Sequence, residues 1–181
     1  MDSKINFCST CGASATIRIP EGDSLPRAVC DSCGFIHYQN PKLVVGTLPV
    51  WENKILLCRR AIEPRYGFWT LPAGFMENNE TMVEAAMRET REEACANVET
   101  GRLYTLISVP HINQIHAIFE ARLLDLNFAA GVETLETRLF SADEIPWKDI
   151  AFRTIALTLR HFLTDRANGQ FSFLCTDLPP P

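Results

Sequence analysis

The chain has 181 residues, 46% of them hydrophobic, a formal charge of -5 and a pI near 5.4. That length buries one good core plus a small appendage, and the acidic balance argues against a general nucleic-acid binder, which needs a basic footprint for the phosphate backbone. No run of about 18 apolar residues offers a membrane span, and MDSKINFCST lacks a hydrophobic signal core, so the expectation is a soluble, cytoplasmic protein with no membrane partner.

The first feature is Cys8-x2-Cys11 and, eighteen residues on, Cys30-x2-Cys33. Two knuckles at this separation have the spacing of a tetrahedral zinc site with Cys8, Cys11, Cys30 and Cys33 as ligands. Gly12 and Gly34 follow the pairs, where the backbone turns tightly about a metal. Four thiolates leave no place for substrate, so this zinc is structural; a segment of forty residues otherwise lacks the core to stabilise itself. Lys4, Arg18 and Arg27 against Asp2, Glu21, Asp23 and Asp31 make no basic patch. The ribbon is therefore expected to serve as a dimer interface or as cover for a site rather than to bind nucleic acid, and a homodimer stays open. Cys58, Cys95 and Cys175 show no pairing pattern, as suits a reducing compartment. His37, beside the second knuckle, is read as a packing or hydrogen-bonding residue, since four cysteines already suffice.

Ile36 to Pro41 reads as a linker. Lys42 to Trp51 and Ile55 to Arg60 read as a hairpin about Glu52-Asn53-Lys54. Ala61 to Phe68, with Pro64 and Gly67, is a loop, and Trp69 to Gly74 is a strand delivering the chain into the next element. Arg59 and Arg60 point to opposite faces of their strand, and Arg65 stands on the loop. Any of the three could clamp a phosphate through the planar guanidinium, and Arg59 and Arg65 are taken as the substrate-binding candidates. Tyr66, Phe68 and Trp69 could stack on a base or flavin ring, with burial the expectation for Trp69.

Thr81 followed by Glu84 has the form of a capping box, which places a helix start at Met82. Val83, Met87, Thr90 and Ala94 make a stripe able to face a core. Glu89, Glu92 and Glu93 crowd three carboxylates on another face, and Arg88 alone does not neutralise them. A hard divalent cation, Mg2+ or Mn2+, resolves that repulsion with oxygen ligands.

Further on, Val98 to Val109 and Gln114 to Leu124 are strands bridged by Pro110-His111-Ile112-Asn113. Neither His111 nor His116 is given a chemical role. Asp125 to Thr137 is a loop carrying Glu133 and Glu136. Ser141 to Pro146 reads as a short helical turn, Arg153 to Ala167 as a helix stopped by Asn168-Gly169, and Pro179-Pro180-Pro181 as a loose tail. The order of elements is that of an α+β sandwich.

Gly74, Glu80, Arg88-Glu89 and Glu92-Glu93 are spaced as in the Nudix box, G-x5-E-x7-R-E-U-x-E-E-x-G-U, and match it at every charged position and at the first glycine. The chain resembles the Nudix hydrolases over about residues 42–170. With the ribbon, IHYQNP and RRAIEPRYGFWTLPAGFMENNET, it is similar to the zinc-ribbon branch of that family. Thr90, where an aliphatic residue is usual, is expected to pack its methyl and bond its hydroxyl back to the helix. Cys95-Ala96 replaces the usual Gly-aliphatic end, and Asn97 is expected to take over the left-handed turn.

The resemblance implies an α/β/α sandwich over 41–170 behind a ribbon over 1–40, with 171–181 as a tail. It implies that Glu89, Glu92 and Glu93 bind Mg2+ or Mn2+, that Glu80 completes or orients the shell and that Arg88 holds the carboxylates. Glu133 or Glu136 resembles the late-loop glutamate some members use as ligand or base. The implied activity is cleavage of the pyrophosphate bond of a nucleoside diphosphate derivative, FAD and ADP-ribose first; NADH falls because the SQPWPFPxS segment of that branch is absent. The alternative is a catalytically weak nucleotide sensor or protein-interaction module.

Overall fold

The computed structural model describes residues 5–180; Asp2 and Lys4, counted above in the ribbon's charge, and Pro181 of the expected tail lie outside them. The chain divides into two compact units, Met1–Pro41 and Lys42–Pro181.

In the first unit β1 (Ala15–Arg18), β2 (Arg27–Cys30) and β3 (Ile36–His37) form an antiparallel sheet in that order. The segment expected as a linker thus begins as a strand, with Val29 opposite Ile36 and Ala28 opposite His37. The reason is that β2 carries the buried Ala28 and Val29, and its backbone needs partners on both edges. His37 packs edge to face on Phe35 with centroids 4.9 Å apart.

The second unit opens with the expected hairpin, β4 (Lys42–Trp51) and β5 (Lys54–Arg60). The two strands pair only at Val50–Ile55 and Trp51–Lys54 and then diverge. The wedge between them is filled by β6 (Trp69–Thr70) on β5 and β7 (Ala73–Phe75) on β4. After α1 (Met82–Ala94) come β8 (Val98–Val109), β9 (Gln114–Leu123), β10 (Thr134–Phe140), α2 (Arg153–Asn168) and β11 (Leu174–Asp177). The mixed sheet runs β10-β5-β4-β9-β8-β11.

Alternation along the strands sorts the core. Val45, Leu56, Cys58, Ala117 and Ala121 lie with Ala85 and Ala94 of α1, whereas Leu48, Ile55, Leu57 and Ile118 lie with Ile155, Leu159 and Phe162 of α2. One helix covers each face, the expected α/β/α sandwich, and Trp69 is buried. Among the described residues no helix is long and apolar enough to cross a membrane.

Four local expectations are corrected. Within the expected C-terminal tail, residues 174–177 are a strand: β11 pairs in parallel with β8 from Leu174–Thr105 to Asp177–Ser108. Asp165 anchors this return by accepting from the Ser172 amide at 2.7 Å, and Arg153 holds the Pro179 carbonyl at 2.7 Å. The loop after β9 ends at Glu133, because Thr134 onward pairs with β5; Glu136 is a strand residue opposite Arg59. Val83 is exposed, and Ala85, Ala86, Thr90 and Ala94 carry the buried face of α1. Finally, Cys95 itself takes the left-handed turn at φ 48°, donating its amide to Arg91 O. Ala96 is buried directly behind it, so the chain has to leave the helix before Asn97.

Thr90 shows why its hydroxyl is tolerated in the core. It donates to Ala86 O at 2.7 Å and meets the Thr47 hydroxyl of β4 at 2.6 Å, both side chains fully buried. Thr90→Val leaves the Thr47 hydroxyl without its partner and is expected to cost about 1–3 kcal/mol, whereas Thr47→Val/Thr90→Val removes both partners and should be nearly neutral. Denaturant melts of the single and double variants check this.

His116 sits in β9 under α2, between Gln114 Oε1 at 2.9 Å and Thr154 Oγ1 at 3.1 Å. Burial pushes its imidazole down to about 4. A folded-state value below the unfolded one near 6.5 means that its contribution is complete above pH 6.5 and is lost as pH falls from about 6.5 to about 4. Across that window His116→Gln should lose about 3 kcal/mol less stability than the wild type, read from melts at each pH.

Candidate active site

The site is built where β7 hands the chain to α1. Thr81 Oγ1 accepts from the Glu84 amide at 3.2 Å and Glu84 Oε2 from the Thr81 amide at 2.8 Å, so the capping box is closed and the helix starts at Met82. Four residues of the helix, Arg88, Glu89, Glu92 and Glu93, then turn toward the preceding strand and loop.

Arg88 organises them. Its Nε and Nη2 grip both oxygens of Glu80 at 3.0 and 2.8 Å; Nη2 also donates to Phe75 O at 3.1 Å, and Nη1 donates to Glu89 Oε1 at 2.7 Å and Glu92 Oε2 at 3.2 Å. Five N–H donors meet five acceptors, the full capacity of a guanidinium. The fork on Glu80, aided by the Glu77 amide, holds that carboxyl down at about 2. One cation thus ties the loop acid to two helix acids, leaving Glu89 Oε2 and Glu92 Oε1 uncommitted to it.

Glu93 lies deeper. It accepts from the Ala73 amide at 3.3 Å, and burial pushes its carboxyl up to about 8, with Glu89 adding to the rise and Arg60 opposing it. Glu89 is also raised, chiefly by burial, with Arg88 pulling the other way and Glu92 and Glu133 adding to the rise. Desolvated carboxylates that resist ionisation beside one another are the donor set a hard divalent cation relieves. Gly74 fits the same account: a Cβ built there would overlap the Glu89 carboxylate, so glycine leaves the space in which that acid sits. The donor chemistry of Glu89, Glu92 and Glu93 suits Mg2+ or Mn2+, although among the described residues only the four cysteines of the first unit already stand as a gathered metal-ligand group.

The other candidates separate. Glu133 acts electrostatically on both Glu89 and Glu93. Glu136 instead faces Arg59 at 3.8 Å, and Arg59 also donates to Gly67 O at 2.9 Å. Arg65, at φ 69°, lies 5.5 Å over the Phe68 ring. The arginine whose charge reaches Glu93 is Arg60, held by Pro64 O at 2.9 Å and set 5.1 Å over Phe152. Strand alternation carried that signal, since Arg60 shares a face with Leu56 and Cys58, which lie with α1, and Arg59 does not.

In the ribbon, Cys8 and Cys33 Sγ are 3.7 Å apart, Cys11 and Cys30 Sγ 3.5 Å, and all four sulfurs lie within 4.8 Å of one another. Zinc–sulfur bonds of about 2.3 Å in a tetrahedron require sulfur separations of about 3.8 Å, so the set fits zinc. Gly12 and Gly34, at φ 76° and 73°, donate to Cys8 O and Cys30 O, and the amides of Thr10, Ser32 and Cys33 point at sulfur at 3.3–3.4 Å. At Cys8 burial is outweighed by the Cys11 and Thr10 amides, with help from the His37 and Cys33 side chains, and the thiol comes down to about 5. Against an amide from Phe35, the sulfurs of Cys30 and Cys11 push Cys33 up to about 12. Four thiols so close resist carrying four charges without a cation among them.

Comparison with known proteins agrees with both units. Residues 6–39 match the family model described as Nudix N-terminal, and residues 40–161 match that of the NUDIX domain. A NUDIX hydrolase from Nitrosomonas europaea, known as a crystal structure, is 57% identical with a TM-score of 0.93, over 96% of this chain and 98% of that one. The ADP-ribose pyrophosphatase of Methanocaldococcus jannaschii is 32% identical over 113 residues, 60% of this chain and 67% of that protein. The NAD-capped RNA hydrolase NudC of Photobacterium profundum is 32% identical over 104 residues, 55% of this chain but only 36% of that protein.

Proposed function

The chain belongs to the Nudix family, and from that premise we propose that it is a metal-dependent pyrophosphohydrolase that cleaves nucleoside diphosphate derivatives, ADP-ribose first and FAD second, to a mononucleotide and a phosphorylated remainder. The observation that carries the reading is the Arg88 network, which holds Glu80, Glu89 and Glu92 on one guanidinium beside the buried Glu93. A set of acids assembled at this electrostatic cost is the arrangement a cation and a diphosphate complete.

Glu89, Glu92 and Glu93 hold Mg2+ or Mn2+, which when bound neutralises charge on the diphosphate and lowers the pKa of an attacking water. Arg88 keeps the helix acids from splaying, and Glu80 fixes Arg88. Glu133, acting on two of the three ligands, takes the water's proton, with Glu89 as the second candidate. Arg60 offers its fork to a phosphate oxygen. ADP-ribose comes first because a relative so named aligns with 60% of the chain. Zinc in the ribbon stays structural. All seven cysteines are free, which supports a cytoplasmic setting.

The experiment is product analysis by mass and phosphate release, with Mg2+ or Mn2+, against ADP-ribose, FAD, NADH, diadenosine polyphosphates, oxidised nucleoside di- and triphosphates and NAD-capped RNA. Cleavage of ADP-ribose or FAD to a mononucleotide and a phosphorylated remainder, abolished by chelating the cation, is the expected result. Hydrolysis confined to the capped RNA or the oxidised nucleotides would replace the substrate; silence across the panel would remove the hydrolase reading.

A further inference from the structure

We propose that Gly131 is a positioning residue, whose backbone docks on the last turn of α1 and so fixes Glu133 beside Glu89 and Glu93. The role of Glu133 rests on the hydrolase reading above, whereas the docking stands on backbone geometry alone.

A helix leaves its last carbonyls without partners inside the helix. In α1 two of them are taken by the loop that follows β9: the Ala129 amide donates to Ala94 O at 2.9 Å and the Gly131 amide to Glu93 O at 3.0 Å. The approach is closer than a side chain permits. A Cβ built on Gly131 overlaps the Glu92 carbonyl oxygen, and it lies 2.8 Å from that carbonyl carbon and 3.2 Å from the carbonyl carbon of Glu93. These are backbone atoms of a packed helix and have no rotamer in which to retreat.

From that anchor the chain turns at once, the Thr134 amide donating to Gly131 O at 3.1 Å, and is pinned again where Ala61 donates to Glu133 O at 2.8 Å. Val132, between the two anchors, is 98% exposed, so side-chain packing at that position contributes nothing to holding the segment. Glu133 is therefore held between the end of the catalytic helix and the end of β5. The carbonyls that Gly131 touches belong to Glu92 and Glu93, whose side chains are two of the three helix acids. One close contact thus sets the register of a fourth carboxylate against the other three.

Amide hydrogen exchange on the unmodified protein is the first test. Ala129 and Gly131 should exchange slowly, like the helix they cap, and rates typical of an exposed loop would overturn the docking whatever the enzyme cleaves. Gly131→Ala should then release both amides while the Glu84 amide of the capping box stays protected. In turnover of whichever dinucleotide is cleaved, its kcat should fall about a hundredfold with KM little changed, the scale of a misplacement of about 1 Å. In a Glu133→Gln background the same change should cost nothing more. Multiplying losses in the double variant would break the link to Glu133. A panel with no cleaved compound would remove the hydrolase reading instead, with the exchange rates still deciding whether Gly131 docks.

Discussion

Glu92→Gln is expected to lower turnover by roughly a thousandfold, several kcal/mol of transition-state stabilisation, while leaving the melting temperature nearly unchanged. Both halves follow from where the residue sits. Its side chain is 59% exposed and its one ion pair, to Arg88 at 3.2 Å, is a surface contact, worth about 0–1 kcal/mol to stability. Arg88 keeps its grip on Glu80 and Glu89 when Glu92 becomes neutral, so the scaffold survives. What is lost is one anionic oxygen from the acidic face of α1, beside the Arg88 grip on Glu89. Glu136→Gln is the control: that acid is paired with Arg59 on a neighbouring strand and should leave kcat within about twofold, a difference of less than 0.5 kcal/mol. Steady-state kinetics beside thermal melts decides the matter. If Glu92→Gln kept a tenth or more of the activity, the three helix acids would not be the cation's ligands.

The parts of this site that could be read from the sequence are those set by short-range geometry. A capping box spans four residues, and the carboxylate face of α1 follows from the helical period; both need only local backbone. The zinc knuckles are similarly local, and their pairing across the ribbon follows from the valence of the metal rather than from the fold. What could not be read depends on residues far apart in the chain. β10 and β11 are the outer strands of the sheet, and their assignment rests on the edges of β5 and β8; a bare edge leaves no mark on the segment that will cover it. Nothing local distinguishes Gly131 from any other loop glycine, because its reason lies in the Glu92 carbonyl it meets. Cys95 shows the opposite failure: the local rule favouring Asn in a left-handed turn was sound, but the burial of Ala96 fixed the turn two residues earlier. Arg60 falls between these cases, since alternation separated it from Arg59 but only the packing of α1 told which face held the acids.

Removing zinc is expected to unfold the ribbon outright, because little else holds it. Among the described residues its buried apolar side chains are Cys8, Ala28, Val29 and Cys30, and two of these belong to the four-cysteine set. Ala28 and Val29 together supply only about 2–3 kcal/mol of burial, too little to order a unit of this length. The three strands, of four, four and two residues, are too short to close that gap with backbone hydrogen bonds. Structural zinc contributes about 10–16 kcal/mol of apparent binding energy in small domains of this kind, several times what Ala28 and Val29 supply. Cys30→Ser, or a zinc chelator on the wild type, should therefore abolish a stoichiometry of one zinc per chain and bring the amides of Ala28 and Val29, in the middle strand of the ribbon sheet, to unprotected exchange rates. The second unit has a core of its own, built on Leu48, Ile55, Leu57, Ile118 and Leu159, and should keep a cooperative thermal transition. Protection at Val29 that survived complete loss of zinc would mean that protein packing, rather than the metal, holds residues 5–41 together. Loss of the transition in both units would mean instead that the Nudix domain depends on the ribbon for its stability.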